Sequence, residues 1–163
     1  MEDRVTQEVI ALLSRRHWRL ATAESCTGGL VAAHLTAIPG SSDWFECAFV
    51  TYRESAKMKL LGVSASALAR YTAVSEPVAR EMATGALRQS DADISVAITG
   101  IAGPGGGDMV TPVGTVWFAW ALRDPDPVCI QASAHQLPGD RDAVRQSAVQ
   151  IALNGLRLTM ANL

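Results

Sequence analysis

Apolar residues recur along this chain in two rhythms, one helical and one extended. Val5, Val9, Leu12 and Leu13 fall at helical spacing, with Glu2, Asp3, Glu8, Arg15 and Arg16 between them, which predicts an amphipathic first helix that packs by one face. Trp18 to Glu24 reads as a short strand, broken at Ser25-Cys26-Thr27-Gly28-Gly29. Leu30, Val31, Leu35 and Ile38 then resume the helical spacing as far as Pro39-Gly40. Trp44 to Tyr52, dense in aromatic and β-branched residues, predicts a second strand, followed by a short helix over Glu54 to Leu61. Ser64 and Ser75 are candidate N-caps for two more helices, the second reinforced by Glu76 and Pro77. Ile94 to Thr99 predicts a buried strand and a glycine-rich segment fills 100 to 107. Val113 to Ala121 and Val128 to His135 predict a hairpin around Arg123-Asp124-Pro125-Asp126-Pro127. Pro138-Gly139-Asp140 opens a final helix with Val144, Ala148, Ile151, Ala152 and Gly155 on one face.

These elements predict an α/β fold: a three-layer α/β/α sandwich with a mixed, mostly parallel sheet of about five strands. A chain of 163 residues with no internal repeat, charge block or linker composition is expected to form a single domain over 1–163. At 48% hydrophobic and 18% charged, it is too apolar for a disordered chain. A net charge of −2 supplies no basic field, which argues against nucleic acid as a partner and for a small molecule. Three cysteines without CxxC spacing fit neither a disulfide framework nor a zinc knuckle, so reduced thiols are expected. With no signal-like start and no apolar run of about 18 residues, the expectation is a cytoplasmic protein without a membrane segment.

Four segments have the residue types for chemistry. In AESCTGG, Ser25 stands where a strand ends and a helix begins. Unpaired N–H groups of a first helical turn there can stabilise an oxyanion or hold a phosphate, and Gly28 and Gly29 permit close approach. A plain helix cap by Ser25 or Thr27 is the alternative. In TYRESAKMK, Tyr52 closes a strand and Lys57 follows about one helical turn later. If Lys57 is to activate a serine it must be neutral, which costs roughly 4 to 5 kcal/mol of differential solvation. A charged Lys57 holding an anion, with Tyr52 relaying the proton, and a merely solvated lysine are the other readings. TGIAGPGGG, from Thr99 through Gly103, Gly105, Gly106 and Gly107, is either an anion nest or a flexible connection. It matches neither a Walker loop nor the dinucleotide fingerprint. Arg141 and Arg145, four apart at a helix start, can meet a phosphate or simply sit in water.

His17, His34 and His135 are scattered, His135 being the reserve base, and no cluster has metal-ligand spacing, so neither a metal nor a cofactor is expected. Cys26, beside Ser25 and near a helix start, is a candidate low-pKa thiol. Trp18, Trp44, Trp117 and Trp120 are expected in the core or an interface.

Taken in order and spacing, AESCTGG, FVTYRESAKMKLLGV, AVSEPVAREMATGAL, TGIAGPGGG with PVGTVWFA, and GDRDAVR resemble the CinA C-terminal domain family of nicotinamide-nucleotide amidases over about residues 4 to 160. The resemblance implies a three-layer domain, a homo-oligomer with a dimer favoured, and a metal-independent serine amidohydrolase that converts nicotinamide mononucleotide to nicotinic acid mononucleotide and ammonia. It places the nucleophile at Ser25 and its partners at Tyr52 and Lys57. Substrate contacts are expected from Thr27, Gly28, Gly29, Thr99, Gly103, Gly105, Gly106, Gly107 and Arg141, with an oxyanion site near Thr27 to Gly29. A non-catalytic nucleotide-binding or regulatory module on the same fold is the rival. A DNA-associated role is disfavoured by the acidic composition. The chain departs from the family in two respects. A lysine frequent before PVGTV is replaced within Asp108-Met109-Val110-Thr111, and the larger N-terminal domain of many relatives is not in this sequence.

Overall fold

The computed structural model describes residues 3–163, so Glu2 lies outside the described residues. The elements are α1 (Arg4–Arg16), β1 (Leu20–Glu24), α2 (Leu30–Thr36), β2 (Phe45–Val50), α3 (Glu54–Leu61), α4 (Ala65–Tyr71), α5 (Glu76–Arg88), β3 (Ile94–Gly100), β4 (Thr115–Leu122), β5 (Val128–Gln136) and α6 (Arg141–Ala161), with a 3-10 turn at Ser41–Asp43. Asp3 caps α1 by accepting the Thr6 N–H at 2.8 Å. His17 ends that helix in the left-handed region, and Trp18 still gives its N–H to the Leu13 carbonyl, which is why β1 starts at Leu20 rather than Trp18. Ser64 caps α4 through the Ala67 N–H at 3.1 Å. Ser75 stands at the N-cap of α5 but turns its hydroxyl back to the Thr72 carbonyl, leaving that helix without a side-chain cap.

In the order β2-β1-β3-β4-β5, β1 pairs in parallel with β2 and β3, while β4 is antiparallel to both of its neighbours. Only β4 runs against the rest, which is the mixed, mostly parallel sheet expected, and the β4–β5 hairpin is formed. The period of two along the strands divides the core. Leu20, Ile94, Val96, Ile98, Val116, Phe118 and Trp120 pack with α1, α2 and α6. Ala21, Ala23, Ala97, Ala119 and Ala121 pack with α3, α4 and α5. One face is filled by large side chains and the other is carpeted with alanine, so α5 supplies the bulk there through Val78, Met82 and Leu87. On the first face α6 closes on Trp120, whose indole donates to the Ala152 carbonyl at 3.1 Å and fills the space a Cβ on Gly155 would need. Trp44 is buried as well, whereas Trp18 and Trp117 are half-buried against the two clusters. Among the described residues no helix is long and apolar enough to cross a membrane.

Register places the functional end. Glu24 is level with Val50 and Ile98, and Gly100 with Val116, so the loops at 25–29, 51–53, 101–114 and 137–140 gather at one end of the sheet. β1 has β2 on one side and β3 on the other, so the chain reverses direction across the sheet there. The crevice at the carboxyl ends of β1 and β3 is where open α/β sheets receive ligands.

Candidate active site

Ser25 follows β1 directly and is tied to β3 by its N–H, which donates to the Ile98 carbonyl at 3.0 Å. Lys57 lies in the first turn of α3, and its side chain meets Ser25. Its Nζ is 2.9 Å from Ser25 Oγ, 2.7 Å from the Thr51 carbonyl and 3.2 Å from the Tyr52 carbonyl. Lys57 is 1% exposed and Ser25 8%. Burial pushes the lysine ammonium below its ordinary pKa, and the charges of Cys26 and Glu54 pull the other way without cancelling it. The two carbonyls can only accept: a neutral amine would give them both of its N–H bonds and keep its lone pair for the serine hydroxyl, whereas an ammonium would donate to all three oxygens. A buried alcohol beside a buried amine can act as a nucleophile with its base.

The cavity onto which this pair opens measures about 260 Å³ and is lined by Ser25, Cys26, Tyr52, Lys57, Ala73, Val74, Thr99, Gly100 to Gly103, Gly105, Gly106 and Arg141. Thr99 is buried and donates its hydroxyl to the Ala73 carbonyl at 2.8 Å, holding the α4–α5 loop against the end of β3. In the glycine loop, Gly103 and Gly106 take positive φ values of 85° and 91°, a conformation that suits glycine. Gly107 does not line the cavity: it lies against Val113, whose backbone N occupies the place of a Cβ. Arg141 spans the mouth, donating to the Gly103 carbonyl at 2.8 Å and to the Tyr52 hydroxyl at 3.0 Å. Tyr52 is 57% exposed, and it meets Lys57 through its carbonyl while its hydroxyl is turned to Arg141. The proton relay considered for that hydroxyl is not assembled here. A second cavity of about 500 Å³ lies beyond Arg141, lined also by Ala102, Pro104, Gly139, Asp140 and Arg145.

The turn after Ser25 differs from the sequence expectation. Thr27 is fully buried, and neither it nor Gly28 nor Gly29 lines the cavity. The N–H of Gly28 is taken by the Ser25 carbonyl, and those of Val31 and Ala32 are taken by the Glu24 carboxylate. Arg145 covers the other side of the turn, donating to the carbonyls of Cys26 and Thr27 at 3.1 and 3.2 Å. The first turn of α2 therefore has its donors engaged inside the protein. Glu24 lies within the AESCTGG motif, and an acidic residue closing an apolar strand is the one sequence signal of its role. Nothing in the sequence marked Ala73 and Val74 as cavity walls.

Cys26 is not the activated thiol considered from its position. Burial pushes it up to about 11, against the pull of Arg145 and Lys57. His34 pairs with Thr6 and Asp3 at the start of α1, at 3.0 and 3.5 Å. His135 packs edge-on to Phe118 and contacts Ser133, and His17 caps α1, so all three histidines stand apart from the Ser25 cavity. Among the described residues no three His, Cys, Asp or Glu side chains are grouped to hold a metal.

Comparison with known proteins follows the same outline. The chain is 49% identical over 146 residues to the nicotinamide-nucleotide amidohydrolase PncC of Enterobacter agglomerans, covering 90% of this chain and 87% of that one. It is also 49% identical over 148 residues to a CinA-like protein of Akkermansia muciniphila, covering 91% of this chain but only 35% of that longer protein. The match to a putative competence-damage inducible protein of Symbiobacterium thermophilum, 52% identical, likewise spans 96% of this chain and 38% of the relative. Among solved structures, a CinA superfamily protein of Klebsiella pneumoniae superposes with a TM-score of 0.91 at 43% identity, covering 98% of this chain and 97% of that one. The family described as the CinA C-terminal domain matches residues 2–160, and the chain belongs to it.

Proposed function

We propose that this protein is a serine amidohydrolase that deamidates nicotinamide mononucleotide to nicotinic acid mononucleotide and ammonia. The observation that carries the reading is the 2.9 Å contact between Ser25 Oγ and Lys57 Nζ with both groups buried. The likeness to the nicotinamide-nucleotide amidohydrolase PncC of Enterobacter agglomerans supports the substrate. In the first step Lys57 accepts the Ser25 hydroxyl proton as the oxygen bonds to the carboxamide carbon. The same proton passes from Lys57 to the departing nitrogen, the C–N bond breaks and ammonia leaves. Water then attacks the serine ester with Lys57 again as base, which restores Ser25 and releases the carboxylic acid.

The oxyanion needs N–H donors on the cavity side, and the donors of α2 are committed elsewhere. Gly105 and Gly106 line the cavity, and their N–H groups have no partner among the described residues, so we assign the oxyanion contact to this loop. We assign the phosphate to Arg141, which lines both cavities, and to Arg145, which lines the second, at the start of α6. The three unpaired thiols fit the reducing cytoplasm, and a homo-oligomer remains part of the proposal.

Ammonia release from nicotinamide mononucleotide by wild type, Ser25→Ala and Lys57→Ala tests the reading. Each variant is expected to lose at least about 1000-fold in kcat, and full activity in Ser25→Ala overturns it. Nicotinamide and its riboside, run in parallel, test the need for phosphate. Binding without turnover in wild type selects the non-catalytic nucleotide-binding module instead.

A further inference from the structure

Glu24 ends β1 with no solvent exposure, yet it does not line the cavity. Four donors converge on its carboxylate. Oε1 accepts from the Thr27 hydroxyl at 2.7 Å and the Val31 N–H at 3.0 Å, and Oε2 accepts from the Thr22 hydroxyl at 3.0 Å and the Ala32 N–H at 3.1 Å. These donors come from the strand before Ser25, the turn after it and the first turn of the next helix. The N-cap position of α2 is Gly29, which has no side chain to offer, so the Glu24 carboxylate reaches forward to do the capping. The four lone-pair sites of the carboxylate are thereby subscribed, and the positive end of the helix faces the charge.

We propose that Glu24 is a positioning residue for the reaction: it locks strand, turn and helix around Ser25, holds Oγ at Lys57, and turns the donors of α2 away from any ligand. The inference rests on the amidohydrolase reading and deepens it. Each carboxylate oxygen receives one backbone N–H, and a backbone N–H cannot reverse its polarity. In Glu24→Gln, either amide orientation therefore sets an NH2 against Val31 or Ala32, and the turn must shift. A displacement of about 1 Å costs on the order of 100-fold in rate, so Glu24→Gln is expected to lose about that factor in kcat with KM within threefold.

The experiment has two readouts, both taken well below each variant's Tm. One is steady-state ammonia release, and the other is the rate at which Ser25 is labelled by a fluorophosphonate, which requires no nucleotide. Both are expected to fall together in Glu24→Gln. Thr27→Val, which removes one donor and keeps the charge, is expected to fall less, and Thr27→Ser, which restores the hydroxyl, is expected to recover wild-type rates. If Glu24→Gln fails to fold, the Thr27 pair decides alone: equal rates in Thr27→Val and Thr27→Ser overturn the proposal. A folded Glu24→Gln with lowered Tm but wild-type kcat and labelling shows a purely structural carboxylate and overturns it too. Wild-type protein inert to both reagents defeats the amidohydrolase reading, and this inference with it. An active wild type with an equally active Glu24→Gln defeats the positioning role alone.

Discussion

Lys57 is one group through which pH acts on this molecule. Its ammonium is destabilised by burial, so the folded protein releases the proton at a lower pH than the unfolded chain does. If Lys57 is the base, kcat/KM climbs with pH as it deprotonates and reaches its plateau below 10.5, the ordinary value. The same shift has a thermodynamic sign. Between the lowered pKa and 10.5 the unfolded state binds more protons than the folded state, and stability from this group rises with pH. Denaturant titrations of wild type and Lys57→Met are therefore expected to diverge, with the difference moving in favour of wild type as pH increases toward 10.5. A difference that stays flat with pH would show that the buried ammonium costs nothing. At the residue scale the sequence is only partly legible. Ser25 and Lys57 were legible from their motifs, but the direction of the Tyr52 hydroxyl was not, because Arg141, far along the chain, decides it.

At the scale of elements, α6 shows how a small residue sets a packing distance. Gly155→Ala adds helix propensity worth about 0.5 to 1 kcal/mol, yet its new methyl group would fall within the Trp120 indole, which is itself pinned by the bond to Ala152. Overpacking of this kind costs about 1 to 3 kcal/mol, so chemical denaturation is expected to show a net loss of stability. A neutral result would mean that the indole can move aside. Most elements could be read from periodicity, since β3 and β4 are largely apolar runs and α1, α5 and α6 carry a buried stripe. What could not be read is which turn donors stay free: the AESCTGG block advertises an anion site at α2, and only the fold shows that Glu24 occupies it from within. The walls given by Ala73 and Val74 were hidden for a related reason, as the α4–α5 loop meets β3 only in three dimensions.

Across the whole molecule the sheet separates two hydrophobic clusters that meet only through their strands. Val78 of α5 and Val144 of α6 are both fully buried, one in each cluster. Truncating either to alanine is expected to cost about 2 kcal/mol, and the double variant is expected to lose the sum to within about 0.5 kcal/mol. Strong coupling in that cycle would reveal strain transmitted through the sheet. If Ser25 and Lys57 are the catalytic pair, their placement has a consequence in time as well. The two are separated by 32 residues and meet only when β2 has docked beside β1, a crossover pairing that local helix formation does not provide. During refolding, helical signal can return early, while chemistry must wait for the parallel strands to find each other. On the amidohydrolase reading, nascent or partly unfolded chains are thus kept from exposing an activated alcohol to the cell's other amides and esters.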